Sequence, residues 1–343
     1  MKFRFILFLF MFCNVRGQIF NGKKAEPGKF RYVVQVHTRE PVLVPDFEKD
    51  EFLNPSLICT GVIISKKFVL TAAHCVKTDA DKWKDEENAW VVGGNLHLDY
   101  KDIYKPIVRE AYTIKSHDSY NRRNEATMDI ALLFFLIPLP LNRNSGLGSI
   151  PIGLKTDDPT AGKECQIMGW GNTQMGLAGD KIVHMDMAHY LMEGQAEVVT
   201  DRRTCAGIWS DAAHICVEIK KQYHALPLQG DSGSPLVCKN GNGQDNVFGI
   251  AEAMGKIRNN GADLYGGTAN YSKLSSHKTW IDKTMARFMR EERDLKERHR
   301  QEREVIRRWR RKLKRKHKRE IAKDRKEKQA RKDEAACLPD QGW

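Results

Sequence analysis

The chain is 343 residues long, 41% hydrophobic and 29% charged, which suits one large domain or two smaller ones. Its net charge of +13 is an uneven average: residues 281–340 hold 24 Lys/Arg against 13 Asp/Glu, a net of +11, and everything before them carries only +2. A uniformly basic protein is thereby excluded, and a near-neutral body with a basic appendage remains.

The N-terminus sets the compartment. Lys2 and Arg4 flank the start of an apolar run, Phe5 to Phe12, and Val15-Arg16-Gly17 ends in a small residue. This is the pattern of a secretory signal peptide over residues 1–17, cleaved after Gly17. A spanning helix needs about 20 apolar residues, and neither this run nor any later one reaches that length. The protein is therefore expected outside the cell, where disulfides are permitted. Seven cysteines follow the signal. Six lie in the body, and Cys337 stands alone near the end, as an intermolecular bridge, a free thiol or a residue without a role.

Short apolar runs then alternate with turn residues. They include Tyr32–Val36, Gly61–Ile64, Phe68–Leu70, Trp90–Val92, Ile130–Phe135, Gln166–Met168, Leu236–Val237 and Val247–Ile250. Their length and β-branched content predict strands, and their number without intervening long helices predicts an all-β sandwich or barrel. Around Ser272 to Arg287 the period changes: Leu274, His277, Trp280, Ile281, Thr284, Met285 and Phe288 recur at three- and four-residue spacing, predicting an amphipathic helix packed on the body. From Arg287 onward Arg, Lys and Glu dominate with no Pro or Gly before Pro339. That composition allows a long solvated helix with charge pairs three and four apart, or a disordered tail. The dense run Arg307–Arg319 around Trp309 is a candidate contact for a polyanion: a glycosaminoglycan, a nucleic acid or an acidic membrane surface.

Three separated stretches supply the parts of one chemistry. A serine hydroxyl is a weak nucleophile and needs a base to take its proton and a third group to orient that base. "LTAAHC" presents His74, "MDIALL" presents Asp129 ahead of a strand, and "GDSGSPLVC" presents Ser232 among glycines. With "IFNGKKAEPGKFRYVVQV", "CQIMGWG" and "YSKLSSHKTWI" in the same order, the chain from Ile19 to Ile281 resembles the trypsin/chymotrypsin-type serine proteases.

The resemblance implies two six-stranded antiparallel β-barrels over residues 19–285, a C-terminal helix, and a basic extension over 286–343. It implies a secreted serine endopeptidase acting on protein or peptide substrates without metal or organic cofactor. Ser232 would be the nucleophile, His74 the general base and Asp129 its orienting carboxylate. The backbone N–H groups of Gly230 and Ser232 would form the oxyanion hole. The implied disulfides are Cys59–Cys75, Cys165–Cys238 and Cys205–Cys216. In the family, a freed N-terminal residue pairs with the aspartate before the nucleophile; here those are Ile19 and Asp231, and Gln18 must first be removed.

Departures from the family concentrate at the specificity pocket. Leu228 stands where the family has a cysteine, and no cysteine between Cys238 and Cys337 could have been its mate. Leu226, followed by Pro227, occupies the pocket floor where trypsin-like members carry an aspartate, and Ala269 replaces a wall glycine. These changes predict a preference for small or apolar side chains over Lys and Arg. Glu252 and Ala253 stand where Ser-Trp is usual, and the family serine hydrogen-bonds the triad aspartate. If Glu252 points inward it perturbs Asp129 and lowers activity; if outward, a support of Asp129 is missing. Residues 38–56 resemble an insertion near the cleft. The competing reading is a non-catalytic homologue that keeps the fold as a binding module.

Overall fold

The computed structural model describes residues 22–38, 59–77, 88–94, 106–120, 128–178, 181–187, 190–201, 205, 212–218, 220, 225, 227–228, 230–259 and 262–336. Residues 1–21, the insertion beyond residue 38, Leu226 and Cys337 lie outside them. The chain divides into two compact units, Met1–Met285 and Ala286–Trp343.

The first barrel is one antiparallel sheet in the order β6-β5-β2-β3-β4-β8-β7. Its strands are β2 (Val33–His37), β3 (Cys59–Ser65), β4 (Phe68–Thr71), β5 (Trp90–Gly93), β6 (Ile107–Glu110), β7 (Thr113–Ser116) and β8 (Ala131–Phe134). Seven strands appear where six were expected because residues 107–116 act as one strand broken by a bend. Its first half pairs with β5 and its second with β8. At the break, Ala111 N–H donates to Ala89 and Tyr112 N–H to Phe134, so the two ends of the sheet are joined through the bend. The side chains of β2, β4 and β8 are all buried. This explains why β4 and β8 read as apolar runs without polar alternation, while β2 buries Gln35 and His37 among its valines.

The second barrel runs β1-β12-β13-β16-β15-β14-β9 and closes through an added β12–β9 pairing. Its six long strands are β9 (Glu164–Gly169), β12 (Met192–Val199), β13 (His214–Glu218), β14 (Pro235–Lys239), β15 (Asp245–Asn259) and β16 (Ala262–Lys273). The seventh is only β1 (Lys23–Lys24), annexed to β12 from the N-terminal segment. A separate hairpin joins β10 (Asn172–Ala178) to β11 (Lys181–Met187). Cys165, Ile167, Ala196, Val217, Leu236, Phe248 and Tyr271 belong to the buried core of this barrel.

Disulfides join Cys59–Cys75, Cys165–Cys238 and Cys205–Cys216, the pairs that the resemblance implies. The second ties β9 to β14 across a separation of 73 residues. In the chain-entropy picture such a closure is worth about 4 kcal/mol.

The helix α1 spans Leu274–Ala336. It begins two residues later than the expected Ser272, which belongs to β16 instead. In its first turns Leu274 and Ile281 are fully buried and Trp280 lies against the His117 ring, with centroids 4.9 Å apart. Beyond residue 286 its charged side chains pair along the helix, as in Arg287–Glu291, Lys296–Glu292, Lys316–Glu320 and Lys328–Asp324. A pair with both partners exposed adds only a few tenths of a kcal/mol, about 0.2–0.5, whereas Glu292 is itself buried.

Candidate active site

His74 sits in a single 3-10 turn, Ala73–Cys75, after β4, and the Cys59–Cys75 disulfide fastens that turn to β3. Asp129 immediately precedes Ile130 and β8, and β8 pairs with β4, so the two residues emerge from neighbouring strands. The residue before it, Met128, has φ of 72°, a left-handed conformation unusual for a side chain of this kind. Asp129 is 5% exposed. Its Oδ1 accepts the His74 backbone N–H at 2.8 Å and its Oδ2 lies 2.5 Å from His74 Nδ1. Two bonds from one carboxylate hold the turn and the ring together. They place the proton on Nδ1 and leave Nε2 as the basic nitrogen.

The Ser232 loop is seated on the first barrel by backbone contacts. The Ser232 carbonyl accepts the Thr60 N–H at 2.8 Å and lies 3.7 Å from Cys75 Sγ, next in sequence to His74. Thr60 Oγ1 donates to the Gly230 carbonyl at 3.3 Å. Gly233 N–H donates to Ala251, which fixes the loop to β15 as well. Gly233 has φ of 83°, and a Cβ there would fall 2.1 Å from the Thr60 carbonyl oxygen. Only glycine lets the loop approach β3 this closely.

Asp231 is fully buried. Its Oδ1 accepts Gly171 N–H at 2.7 Å and its Oδ2 accepts Leu228 N–H at 2.8 Å. A Cβ on Gly171 would lie 2.4 Å from that carboxylate, so the Gly-Trp-Gly segment is shaped around it. Burial pushes the Asp231 carboxyl up to about 7, and the two N–H donors only partly offset this. The expected mate of Asp231, Ile19, lies outside the described residues. Pro227 and Leu228 are buried, Leu228 at 4% exposure in the place of the family cysteine. Ala269 is fully buried on β16 opposite Val217.

Glu252 points inward. It is the extra residue of a β-bulge, since Ala251 pairs with Tyr271 and Ala253 with Asn270. Bulges commonly re-aim one side chain near a site. Glu252 is 7% exposed, and its Oε2 lies 3.3 Å from His214 Nε2 on β13 and accepts Ser272 Oγ at 3.3 Å. The same Ser272 hydroxyl is 3.2 Å from the Asp129 carbonyl oxygen. Burial raises the Glu252 carboxyl, His214 lowers it, and the charge of Asp129 raises it further. The carboxylate is thus committed to the interior behind Asp129 and not to an open specificity pocket. His214 carries no local motif, and only the β13–β16–β15 pairing brings it to Glu252. A signal for it would have been a polar residue inside an otherwise apolar strand.

Among the described residues one group of possible metal ligands converges, Cys59, His74 and Cys75. Both sulfurs are consumed in the disulfide and offer no thiolate to an ion.

The sequence pattern described as Trypsin matches residues 19–281. The chain is 30% identical over 243 residues to kallikrein-8 of Mus musculus, covering 68% of this chain and 79% of that one. It is 28% identical over 241 residues to the snake venom serine protease salmonase of Gloydius brevicauda, covering 66% of this chain and 78% of that one. With two closed antiparallel barrels, three disulfides and this extent of match, the chain belongs to the trypsin family of serine proteases.

Proposed function

We propose that the chain is a secreted serine endopeptidase that hydrolyses peptide bonds through an acyl-enzyme. The single observation carrying this reading is the doubly bonded Asp129–His74 pair, which turns Nδ1 of the imidazole to the carboxylate and leaves Nε2 to act as the base. Ser232 Oγ attacks the scissile carbonyl carbon while its proton passes to His74 Nε2. The negative charge gathering on the carbonyl oxygen is met by the N–H groups of Gly230 and Ser232, each worth about 3–4 kcal/mol of transition-state stabilisation. The imidazolium then gives its proton to the departing amine, and water repeats the sequence to release the acid. A freed Ile19 ammonium would neutralise Asp231. Leu226 at the pocket floor carries no charge, so small or apolar side chains are the preferred substrates. Export is supported by the N-terminal signal pattern and the disulfides, and no helix among the described residues is long and apolar enough to cross a membrane.

A serine-directed fluorophosphonate should label the full-length secreted chain and fail to label Ser232→Ala. A natural chain that stays unlabelled with its N-terminus trimmed to Ile19 would overturn the enzyme reading in favour of a binding module.

The appendage supports a second contact. Residues 307–319 hold ten Lys or Arg, and all thirteen side chains are exposed on α1, with Trp309 60% exposed among them. This concentration of one sign favours polyanions. Changing Arg310, Arg311, Lys314 and Arg315 together to Gln should lower the salt needed to elute the chain from immobilised heparin; unchanged elution would discard the contact.

A further inference from the structure

Two carboxylates, Asp129 and Glu252, are buried in one network at 5% and 7% exposure. Like charges at close quarters in a poorly solvated region disfavour one another's ionised forms unless each is answered by an opposite charge. His74 answers Asp129. Among the described residues, the groups that act on Glu252 are His214 from β13, Ser272 from β16 and Asp129 from the head of β8, while His277 of α1 lies near enough to His214 and His117 for their charges to interact. His277 is 2% exposed, its ring lies 5.4 Å from His117, and burial keeps it neutral down to about pH 4. Of these groups only His214, itself 2% exposed with its Nε2 at 3.3 Å, can supply the counter-charge.

We propose that Glu252 and His214 form a second acid–imidazole pair that positions Asp129 through Ser272 and fixes the charge His74 experiences. The inference rests on reading His74–Asp129 as the catalytic pair. The Ser272 hydroxyl lies between the Asp129 carbonyl oxygen and Glu252 Oε2, so the pair reaches Asp129 through one fully buried oxygen. As glutamate with imidazolium, or as glutamic acid with imidazole, the pair is neutral overall. A lone glutamate here would add a negative charge behind Asp129 and stabilise the His74 imidazolium, weakening the supply of neutral base. Glu252 is therefore a matched substitution for the family serine, with His214 as its necessary complement, and not simply a lesion in the site. Glu252 and His214 are positioning residues, since they act through Asp129.

The test is histidine titration by NMR of full-length protein in the Ser232→Ala background, which does not depend on turnover. With His214→Gln added, the His74 pKa should rise by about one unit, a tenfold shift in its proton affinity. His214→Gln with Glu252→Gln should bring it back to within a few tenths. A His74 titration unmoved by His214→Gln, or not restored in the double variant, overturns the proposal. Should His214→Gln fail to fold, Glu252→Gln alone decides. Loss of the carboxylate should lower the His214 pKa by about one unit or more, and an unchanged His214 titration overturns the pair. Fluorophosphonate labelling at Ser232 reports separately on the enzyme reading, so failure of one is distinguishable from failure of the other.

Discussion

Asp231 offers the sharpest thermodynamic prediction. Its carboxyl is raised from 3.8 to about 7 in the folded chain because it is wholly buried, and its two N–H donors offset that burial only in part. The unfolded chain ionises it near the ordinary value. Between those two values the folded state binds more protons, so stability is greatest below about pH 4 and falls as pH rises to about 7. The loss amounts to about 4 kcal/mol. A pH scan of the natural chain alone would not reveal it. His37 and His277 are lowered from 6.5 to about 4 by burial, and they contribute stability above pH 6.5 that is lost as pH falls, in the opposite sense. The difference between the natural chain and Asp231→Asn isolates the group. The amide leaves one of the two N–H donors without an acceptor, a constant offset that does not vary with pH. Urea unfolding followed by tryptophan fluorescence, disulfides intact, should show the natural chain's advantage over Asp231→Asn shrinking by about 4 kcal/mol between pH 4 and pH 8. The same comparison on protein whose N-terminus has been trimmed to Ile19 should lose most of this dependence, because an ammonium would keep Asp231 ionised. A difference that stays flat across the range in the untrimmed chain would refute the reasoning.

Other expectations follow from single contacts. Gly233→Ala forces a Cβ to 2.1 Å from the Thr60 carbonyl at a φ of 83°, and should cost about 3 kcal/mol or more, read as a fall in melting temperature and loss of fluorophosphonate labelling. His277→Phe removes a buried imidazole that unfolding would let protonate, so it should recover about 3 kcal/mol of stability at pH 4 relative to pH 7 in acid unfolding. Asp129→Asn keeps the shape but no longer fixes the His74 tautomer, and acylation should fall by about 10⁴-fold in stopped-flow with a peptide ester.

Much of the architecture was readable from the sequence because local pattern and burial coincide. The runs at residues 61–64, 68–70 and 130–135 are buried on both faces apart from the half-buried Ile64, so they stay apolar throughout and announce themselves as strands. Strands with mixed burial did not. Residues 107–110 and 113–116 carry half-buried polar groups and a bend, and 192–199 alternates irregularly, so none of them stood out. The His74, Asp129 and Ser232 stretches were legible because each needs a fixed local sequence: a disulfide beside the imidazole, a strand after the carboxylate, glycines about the alcohol. His214 and Ser272 were not, since their meeting with Glu252 depends on register across three strands and on a one-residue bulge at Glu252. Nothing in the sequence near 252 indicates whether that extra residue turns inward.

The annexed strand β1 has a consequence for any trimming of the N-terminus. Lys23 and Lys24 are hydrogen-bonded in register with Glu193 and Met192, so the chain is moored there. An amine at Ile19 would hang on a leash of four residues, at most about 14 Å long. Inside so small a sphere its local concentration is on the order of 0.1 M. Whatever exposes that amine need not deliver it anywhere, and docking would be a unimolecular event insensitive to dilution of the protein.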